Sequence, residues 1–538
     1  MKKTILALFV ALIFCCSLAI GENWLTDGGD VQRSGWNKDE HILSKDNISS
    51  MKLLWKIQTG NDPRALHSLA TPLVVDSVPM SGGPKEVVYV EGVSDNLYAI
   101  DAKTGKVLWQ KHFTYTPPAG RGGGGGGYGQ AQPTDPKHLG FLQPGGSSDV
   151  PVIGPADASG DRTLYIDDGG GNLHSIDIAS GEDEKPTSQI GVSKFALQLY
   201  NNQIIYGAIY SSVSNGIVSL NIADPNAKPM VASGFGRSGG LWGRRGPAID
   251  SMGTVWTTTG DGNVDISNPN NLIIADSMVG FRQQDGAWKP WNWFTPNNWA
   301  WLWHRDLDPN NTPTIFMYKG RELMASSGKE CRVFLLDSRD PGGPDHHVPL
   351  YKTPLFCNAG ADFQNAGSWG ALSSWEDSDG TRYVIVPFWG PENPDFKFPI
   401  TYDPTPVDGG EAAFKLVDDG GKLSLQPVWV SHDMHRGEPS IIANGMVFAY
   451  GSGENTQQAW PDIGLNFDST IRAAKSGHAI IYVLDALNGK ELWSSGDQIA
   501  SFSHFSGITV ANGRVYLGTY DGMFYCFGLP SEGGAAGQ

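Results

Sequence analysis

A fourteen-residue unit that recurs along the chain restricts the fold more than any other feature. It occupies residues 96–109 and 480–493, and a third copy at 172–181 lacks the final Trp. An apolar stretch, an Asp-x-x-x-Gly turn and a second extended stretch predict a β-hairpin. Hairpins repeated at wide spacing are typical of a propeller, in which a Trp at a fixed place in each hairpin would lie flat between neighbouring blades.

Apolar runs between Gly, Asp and Asn turns divide the chain into eight candidate blades, with seven as the nearest alternative count. The last blade is one strand short, and the extended stretch 53–56 can complete it and close the ring. We therefore predict an all-β, eight-bladed β-propeller that forms a single domain over residues 22–538. The candidate blades are 69–112, 148–185, 194–232, 241–294, 312–352, 368–429, 438–494 and 505–528.

Two segments stand apart from this pattern. Residues 1–21 combine a basic start, an apolar run and small residues before position 22, which predicts a signal peptide and a periplasmic or secreted protein, with a membrane anchor as the alternative. No other stretch is apolar for long enough to span a bilayer. Residues 113–148 are rich in Gly and Pro, with six glycines after Arg121, and are predicted to be a flexible insert.

Charge and cysteine content exclude several functions. The 56 acidic residues outnumber the 39 basic ones, so nucleic acid and anionic membranes are unsuitable partners. The absence of Cys-x-x-Cys-His excludes a c-type haem attached to this chain. Cys331 and Cys357 lie in neighbouring predicted strands and either pair in an oxidising compartment or remain, like Cys526, buried thiols.

The repeat resembles the tryptophan-docking motif of the pyrroloquinoline quinone (PQQ) β-propeller family, and the resemblance covers nearly the whole mature chain. Residues 24–55 are similar to the amino-terminal lead-in of that family. The family contains quinoprotein alcohol dehydrogenases as well as propellers without catalysis, so the fold alone does not select a function.

Three stretches resemble the quinone site of the dehydrogenases. The segment around Trp242 is similar to the one whose Trp forms the floor under the quinone ring, and an indole face suits a flat quinone. Residues 258–263 are similar to a Thr-Gly-Asn segment that ligates Ca²⁺. The resemblance therefore assigns Gly260 and Asp261 to the cofactor, and Asp261 with Asn263 to the metal. A packing Trp and an ordinary Gly-Asp turn are the structural alternatives.

The third stretch supplies the acid–base chemistry. Residues 295–308 resemble the segment whose Asp takes the alcohol proton, with Asp306 favoured and Asp308 as the second choice. Lys329 matches a basic residue that approaches the quinone oxygens, where a cation stabilises developing negative charge. A solvated acidic turn and an exposed Lys are the alternatives. The six Trp residues between 283 and 308 either line a pocket or form blade packing with a lid.

The resemblance implies an exported PQQ- and Ca²⁺-dependent dehydrogenase that oxidises a small or polymeric alcohol or polyol. A separate c-type cytochrome would accept the electrons. The Gly-Asp turn looks closest to the polyvinyl alcohol dehydrogenase branch. Two departures oppose this function: the mature chain lacks the adjacent cysteines of the dehydrogenases, and residues 209–216 lack their Glu ligand. The alternatives are a non-catalytic periplasmic propeller that binds protein or glycan and, less favoured, a quinone-independent hydrolase or lyase.

Overall fold

The computed structural model describes residues 23–115, 146–147, 149–191, 195–207, 216–224, 226–236, 239–457 and 469–530. The signal peptide predicted at 1–21 and most of the insert predicted at 113–148 lie outside these residues. Within them, eight antiparallel sheets follow one another along the chain as the blades of a β-propeller. The predicted eight-bladed, all-β architecture is therefore confirmed.

Each of the first four blades is a meander whose strands run outward from the axis in chain order, except that the inner strand of blade 4 is split in two. The strands of blades 1 and 2 are Leu73–Val78, Lys85–Gly92, Asn96–Asp101 and Val107–His112, then Val152–Ile153, Thr163–Asp167, Asn172–Asp177 and Ser188–Gln189. Those of blades 3 and 4 are Gln198–Tyr200, Gln203–Gly207, Ile217–Asn221 and Met230–Val231, then Leu241–Trp242 with Ala248–Ile249, Val255–Thr259, Met278–Gln284 and Ala287–Phe294.

Blades 5 to 7 repeat the same meander, and blade 8 takes its fourth strand from the amino-terminal part of the chain. The strands of blades 5 and 6 are Thr314–Tyr318, Arg321–Ser326, Phe334–Asp337 and Tyr351–Lys352, then Ser373–Glu376, Arg382–Trp389, Gly409–Asp419 and Lys422–Val430. Those of blades 7 and 8 are Ile441–Ala443, Met446–Gly451, Ile480–Asp485 and Glu491–Ser494, then Thr509–Ala511, Arg514–Gly518, Met523–Gly528 and Lys52–Gln58.

The remaining elements are short. Trp36–Asn37 pairs with the inner strand of blade 7, Val264–Asp265 pairs with Ile273–Ile274, and Asn311–Thr312 pairs with Gly370–Ala371. The α-helices of the described residues are Trp299–Trp303 and Ser469–Lys475, and neither is long enough to cross a bilayer.

The ring closes as the sequence predicted. Lys52–Gln58 pairs antiparallel with Met523–Gly528 and becomes the outer strand of blade 8. This strand joins the start of the propeller to its end, so the backbone edge that blade 8 would otherwise expose is paired.

A Trp in the outer strand docks several of the blades on the next one. Trp109 donates its indole N–H to the carbonyl of Ile178 in blade 2, at 3.1 Å. Gly181 lies against the indole with φ +79°, and a Cβ at this position would fall 2.8 Å from the ring. The turn glycine is therefore required both for its backbone conformation and for the approach of the Trp. Trp55 with Gly105, and Trp429 with Gly489, repeat the arrangement.

Residues 24–37, here called the inner segment, run along the inner edges of the blades. The segment follows the ring in order and makes at least one hydrogen bond to each of the eight blades. Its partners, in the order of the blades, are Val74, Ile153, Gln198, Ile249, Ile315, Ser374, Ile442 and Val510.

One face of the ring collects the ends of strands from every blade. In a meander, the first strand begins, the second ends and the third begins at the same edge of the sheet. The candidate residues belong to this edge. Trp242 is in the inner strand of blade 4, Asp261 follows the second strand, and Asp306 and Asp308 precede blade 5. The fold thus brings together side chains that are far apart in the sequence.

Candidate functional site

An ion-pair cluster between blades 4 and 5 forms the centre of the site. The Lys329 ammonium lies 2.6 Å from Asp306 Oδ1 and 2.7 Å from Asp308 Oδ1. The side chains of Lys329 and Asp308 are 10% and 3% exposed, whereas that of Asp306 is 46% exposed. The Asp306 carboxylate therefore lies on the solvent-exposed side of the cluster, and the Asp308 carboxylate is buried.

The backbone around Lys329 is fixed on both sides. Its N–H donates to the carbonyl of Asp308 at 3.2 Å, and its carbonyl accepts a 2.6 Å hydrogen bond from the Asn358 side chain. Asn358 follows Cys357, which forms a disulfide with Cys331, with the two Cα atoms 5.4 Å apart. Of the two alternatives for these cysteines, the structure selects pairing.

Two further acids border the cluster. Asp261 is half-buried in the turn after the second strand of blade 4. Asp276 is fully buried, and its Oδ2 accepts the Gly262 N–H at 3.1 Å. The Oδ1 atoms of Asp261 and Asp276 are buried without a hydrogen-bond partner. Asp276 was not among the predicted residues.

Three acids of the cluster, Asp261, Asp276 and Asp308, hold protons more strongly than isolated carboxyl groups do. Burial, reinforced by Asp306 and Asp308 and opposed by Lys329, raises the pKa of Asp261 to about 7. Burial and the neighbouring Asp308 raise the pKa of Asp276 to about 9. Burial also raises the pKa of Asp308 to about 6, although Lys329 opposes the shift. Burial acts to lower the pKa of Lys329, but Asp308 and Asp306 outweigh it and the net shift is upward.

These shifts predict how stability depends on pH in the absence of a bound cation. Asp261, Asp276 and Asp308 each have a pKa above their unfolded value of about 4, so the folded chain binds more protons and loses stability as pH rises from about 5 to about 9. We expect the melting temperature in chelator to fall over this range. Because buried acids outside the cluster also titrate, the comparison is with Asp276→Asn, whose slope should be shallower. An equal slope in both proteins would contradict the prediction.

Trp242 differs from the Trp residues that dock blades. Its indole N–H donates within its own blade, to the carbonyl of Gly239 at 3.0 Å, and the ring remains half-exposed. Its carbonyl accepts the hydroxyl of Thr258 at 3.0 Å, and the ring of Phe195 lies 5.9 Å away between centroids. A Cβ on Gly260 would fall 2.2 Å from the indole nitrogen, so Gly260 is needed to accommodate the ring.

A second indole adjoins the cluster. The Lys329 ammonium lies 5.2 Å from the centroid of the Trp369 ring, which stacks on Trp389 at 5.0 Å. The Trp369 indole N–H is buried without a hydrogen-bond partner. Sequence reasoning missed Trp369. Its signal was the Gly-Ser-Trp-Gly stretch before blade 6, which is typical of a turn that carries an aromatic side chain.

The two halves of the Trp-rich stretch occupy different parts of the structure. Trp288, Trp291 and Trp293 belong to the outer strand of blade 4, and Trp288 is buried against blade 3. The helix Trp299–Trp303 carries the other three and ends immediately before Asp306. The Trp301 ring is 39% exposed. The second half of the stretch is therefore next to the site, whereas the first half is blade packing.

Asn263 lies differently from the other predicted residues. Its side chain is exposed, and its carbonyl accepts the N–H of Ala275. The turn between Asp261 and Asn263 instead directs the Gly262 N–H to Asp276. The structure thus brings Asp261, Asp306, Asp308 and Lys329 into one electrostatic cluster, but it leaves Asn263 at the surface.

The donor chemistry of the cluster suits a hard cation. Four carboxylates face a single ammonium, and two of their oxygens are buried without partners. Carboxylate oxygens are the ligands that such cations prefer. Among the described residues, no three Asp, Glu, His or Cys side chains are already arranged to hold a metal ion. The cluster therefore has the charge for a cation, and its side chains must turn to reach one.

Solved structures of similar fold include two alcohol dehydrogenases and a methanol dehydrogenase. The quinohemoprotein alcohol dehydrogenase from Comamonas testosteroni is 14% identical with a TM-score of 0.52, covering 96% of this chain and 82% of that one. The quinohemoprotein alcohol dehydrogenase ADHIIG from Pseudomonas putida HK5 is 12% identical with a TM-score of 0.53, covering 96% and 81%. A europium-containing methanol dehydrogenase is 12% identical with a TM-score of 0.56, covering 95% and 98%.

These similarities show the fold alone, because the identities are 12–14% and one fold serves many functions. No family model matches the chain, and no curated protein sequence matches it.

Proposed function

We propose that this protein is an exported quinoprotein dehydrogenase that binds PQQ and a hard cation, and oxidises an alcohol or polyol. The observation that carries the proposal is the convergence of Asp306, Asp308 and Lys329 within hydrogen-bonding distance, on the face to which Asp261 and Trp242 also belong. A base, a cation and an aromatic surface are the three elements that oxidation of an alcohol by a quinone requires.

Trp242 and Trp369 are the residues we assign to the quinone ring. Both are half-buried at the site, and an indole face stacks favourably on a flat electron-poor ring. Lys329 would direct its ammonium toward the quinone oxygens. The two acids that hold this ammonium keep it protonated, because they raise its pKa. A permanent positive charge at this position stabilises negative charge that develops on the reduced ring.

We assign the hard cation to the acidic side of the cluster, with Asp261 and Asp308 as ligands. When bound, it would supply Lewis-acid polarisation of the quinone. Ca²⁺ and a lanthanide are both candidates, the latter because a europium-containing enzyme shares the fold. With all four acids ionised the cluster carries an excess of three negative charges, so a trivalent ion should bind more tightly than a divalent one.

Asp306 is the residue we assign as the base. Its side chain is the most accessible of the cluster, and its Oδ1 is bound to Lys329. The second oxygen could accept the hydroxyl proton of an alcohol, and PQQ, when bound, would supply the oxidant. The Asp308 carboxylate, held below, keeps Lys329 in place when Asp306 becomes protonated.

Export agrees with the Cys331–Cys357 disulfide, because disulfides persist in oxidising compartments. The electrons would pass to a separate c-type cytochrome, since the sequence has no haem-attachment motif. The sequence resemblance to the polyvinyl alcohol dehydrogenase branch extends the proposed substrates from small alcohols to polymeric ones.

Reconstitution tests the proposal. The purified chain is mixed with PQQ and with Ca²⁺ or a lanthanide, and the absorbance of bound quinone and alcohol-dependent dye reduction are followed. Small alcohols and polyvinyl alcohol serve as substrates. Binding with turnover supports the dehydrogenase. Failure to bind quinone with either ion would favour the non-catalytic propeller.

Replacement of Trp242 by Ala should weaken PQQ binding more than tenfold, because it removes a stacking surface worth on the order of 1 kcal/mol beyond the buried area. Quinone affinity is measured by fluorescence quenching. Trp493→Ala is the matched control, since Trp493 docks blade 7 on the carbonyl of Met51 and lies away from the site. Equal affinity in the Trp242→Ala protein and the wild type would reject its role under the quinone.

A further inference from the structure

Asp276 is the one acid of the cluster that has no role in the proposed mechanism. Its side chain is fully buried, and its backbone adopts φ +48°, a conformation that non-glycine residues rarely adopt. Its N–H donates to the carbonyl of Gly260 at 3.0 Å, and its Oδ2 accepts the Gly262 N–H at 3.1 Å. One backbone and one side-chain hydrogen bond thus hold Asp276 beside the turn that carries Asp261.

The surroundings of Asp276 are acidic. The charged side chains that act on it are Asp308, Asp261 and Lys329. A carboxylate buried beside two others is unfavourable unless a cation compensates it. The single ammonium of Lys329 is already engaged by Asp306 and Asp308.

The second carboxyl oxygen of Asp276 distinguishes a structural role from the role of a cation ligand. A protonated structural carboxyl would donate its O–H to an acceptor, yet Asp276 Oδ1 is buried with no hydrogen-bond partner. A ligand oxygen, by contrast, is left without a protein partner until the cation binds. The orphaned oxygen and the acidic surroundings are independent observations that favour the ligand role.

We propose that Asp276 is a direct ligand of the hard cation, acting with Asp261 and Asp308. This inference rests on the proposed function and extends it to a residue that the resemblance does not supply. Asp276 takes the place predicted for Asn263, whose side chain is exposed. The ion is a calcium or a lanthanide cation, because both favour carboxylate oxygens.

Cation binding to the full-length protein tests this assignment directly and without turnover. Tb³⁺ is titrated while its luminescence is excited through neighbouring indoles, and Ca²⁺ is added as a competitor to measure both affinities. We expect Asp276→Asn to weaken Tb³⁺ binding by at least about tenfold, as expected for loss of a charged ligand. Luminescence lifetimes in H₂O and D₂O should show about one additional bound water.

Asp265→Asn provides the matched control. Asp265 lies in the same connection between the second and third strands of blade 4, is exposed, and accepts the N–H of Ser267. Its replacement should leave affinity and lifetimes unchanged. Because Asn keeps the shape of the Asp276 side chain and its amide oxygen can still accept the Gly262 N–H, thermal melting should show a folded protein.

The outcomes separate this inference from the proposed function. If the wild type binds Tb³⁺ or Ca²⁺ and Asp276→Asn binds equally well with the same lifetime, Asp276 is not a ligand, and the dehydrogenase proposal is unaffected. If the wild type binds neither ion, both the ligand assignment and the cation assigned to the dehydrogenase are wrong.

Discussion

A chain without residues 22–58 is expected to lose cooperative unfolding altogether. The deletion removes the outer strand of blade 8 and the inner segment, which bonds to all eight blades. Blade 8 would then have three strands and an unpaired edge, and the ring would have no closing contact. We expect a broad or absent calorimetric transition and increased aggregation. A protein lacking only residues 1–21 is the control.

A point substitution tests the role of the inner segment while the closing strand stays intact. Arg33 is fully buried, and its guanidinium donates to the carbonyls of Pro247, Asp27 and Leu197. Arg33→Leu removes this donor from the buried carbonyls of Asp27 and Leu197, each at a cost of about 1–3 kcal/mol, whereas Pro247 keeps a hydrogen bond from Gln198. The melting temperature should fall by several degrees while the strand 52–58 is intact. A truncated protein that melts like the control, or an unchanged Arg33→Leu variant, would contradict the role given to residues 22–58.

The fold could be predicted because its information is local and repeated. The hairpin at 96–101 and 107–112 follows from an Asp-to-Gly turn between apolar stretches, and the same spacing returns at 480–493. The closing strand was predictable by counting, since blade 8 contained three strands. The path of the inner segment was not, because its hydrogen bonds join residues between 50 and 473 positions apart and have no sequence period.

The candidate site could be predicted only in part, because its residues also come from distant positions in the sequence. Trp242, Asp261, Asp306 and Lys329 were found through resemblance to known motifs, whereas Asp276 lies in Ile-Ile-Ala-Asp-Ser-Met-Val and matches none of those motifs. Its signal was an unpaired acid between apolar residues at the start of a strand, a position that usually costs free energy. Asn263, the other metal ligand implied by the resemblance, has an exposed side chain in the structure, and a turn sequence does not show which of its side chains faces inward.

Replacement of Asp306 by Asn should abolish turnover while quinone binding persists. Asn keeps the shape of the side chain and can still accept a hydrogen bond from Lys329, but it cannot take the hydroxyl proton of the alcohol. General-base catalysis contributes about 10²–10⁴-fold, so kcat should fall by at least a hundredfold. The affinity for PQQ, measured in the absence of alcohol, should change little because Asp306 lies at the exposed side of the cluster.

Asp285→Asn is the control for this experiment, because Asp285 forms an exposed pair with Lys289 at 2.7 Å in blade 4. It repeats the chemistry of an Asp–Lys pair away from the site, and its loss should leave kcat unchanged. The role of base is distinguished from that of an ion-pair partner by the separation of kcat from quinone affinity. If Asp306→Asn retained more than about a tenth of wild-type kcat, the base would have to be sought elsewhere. The second candidate would be Asp308, which is 3% exposed and could meet a substrate only if Lys329 moved aside.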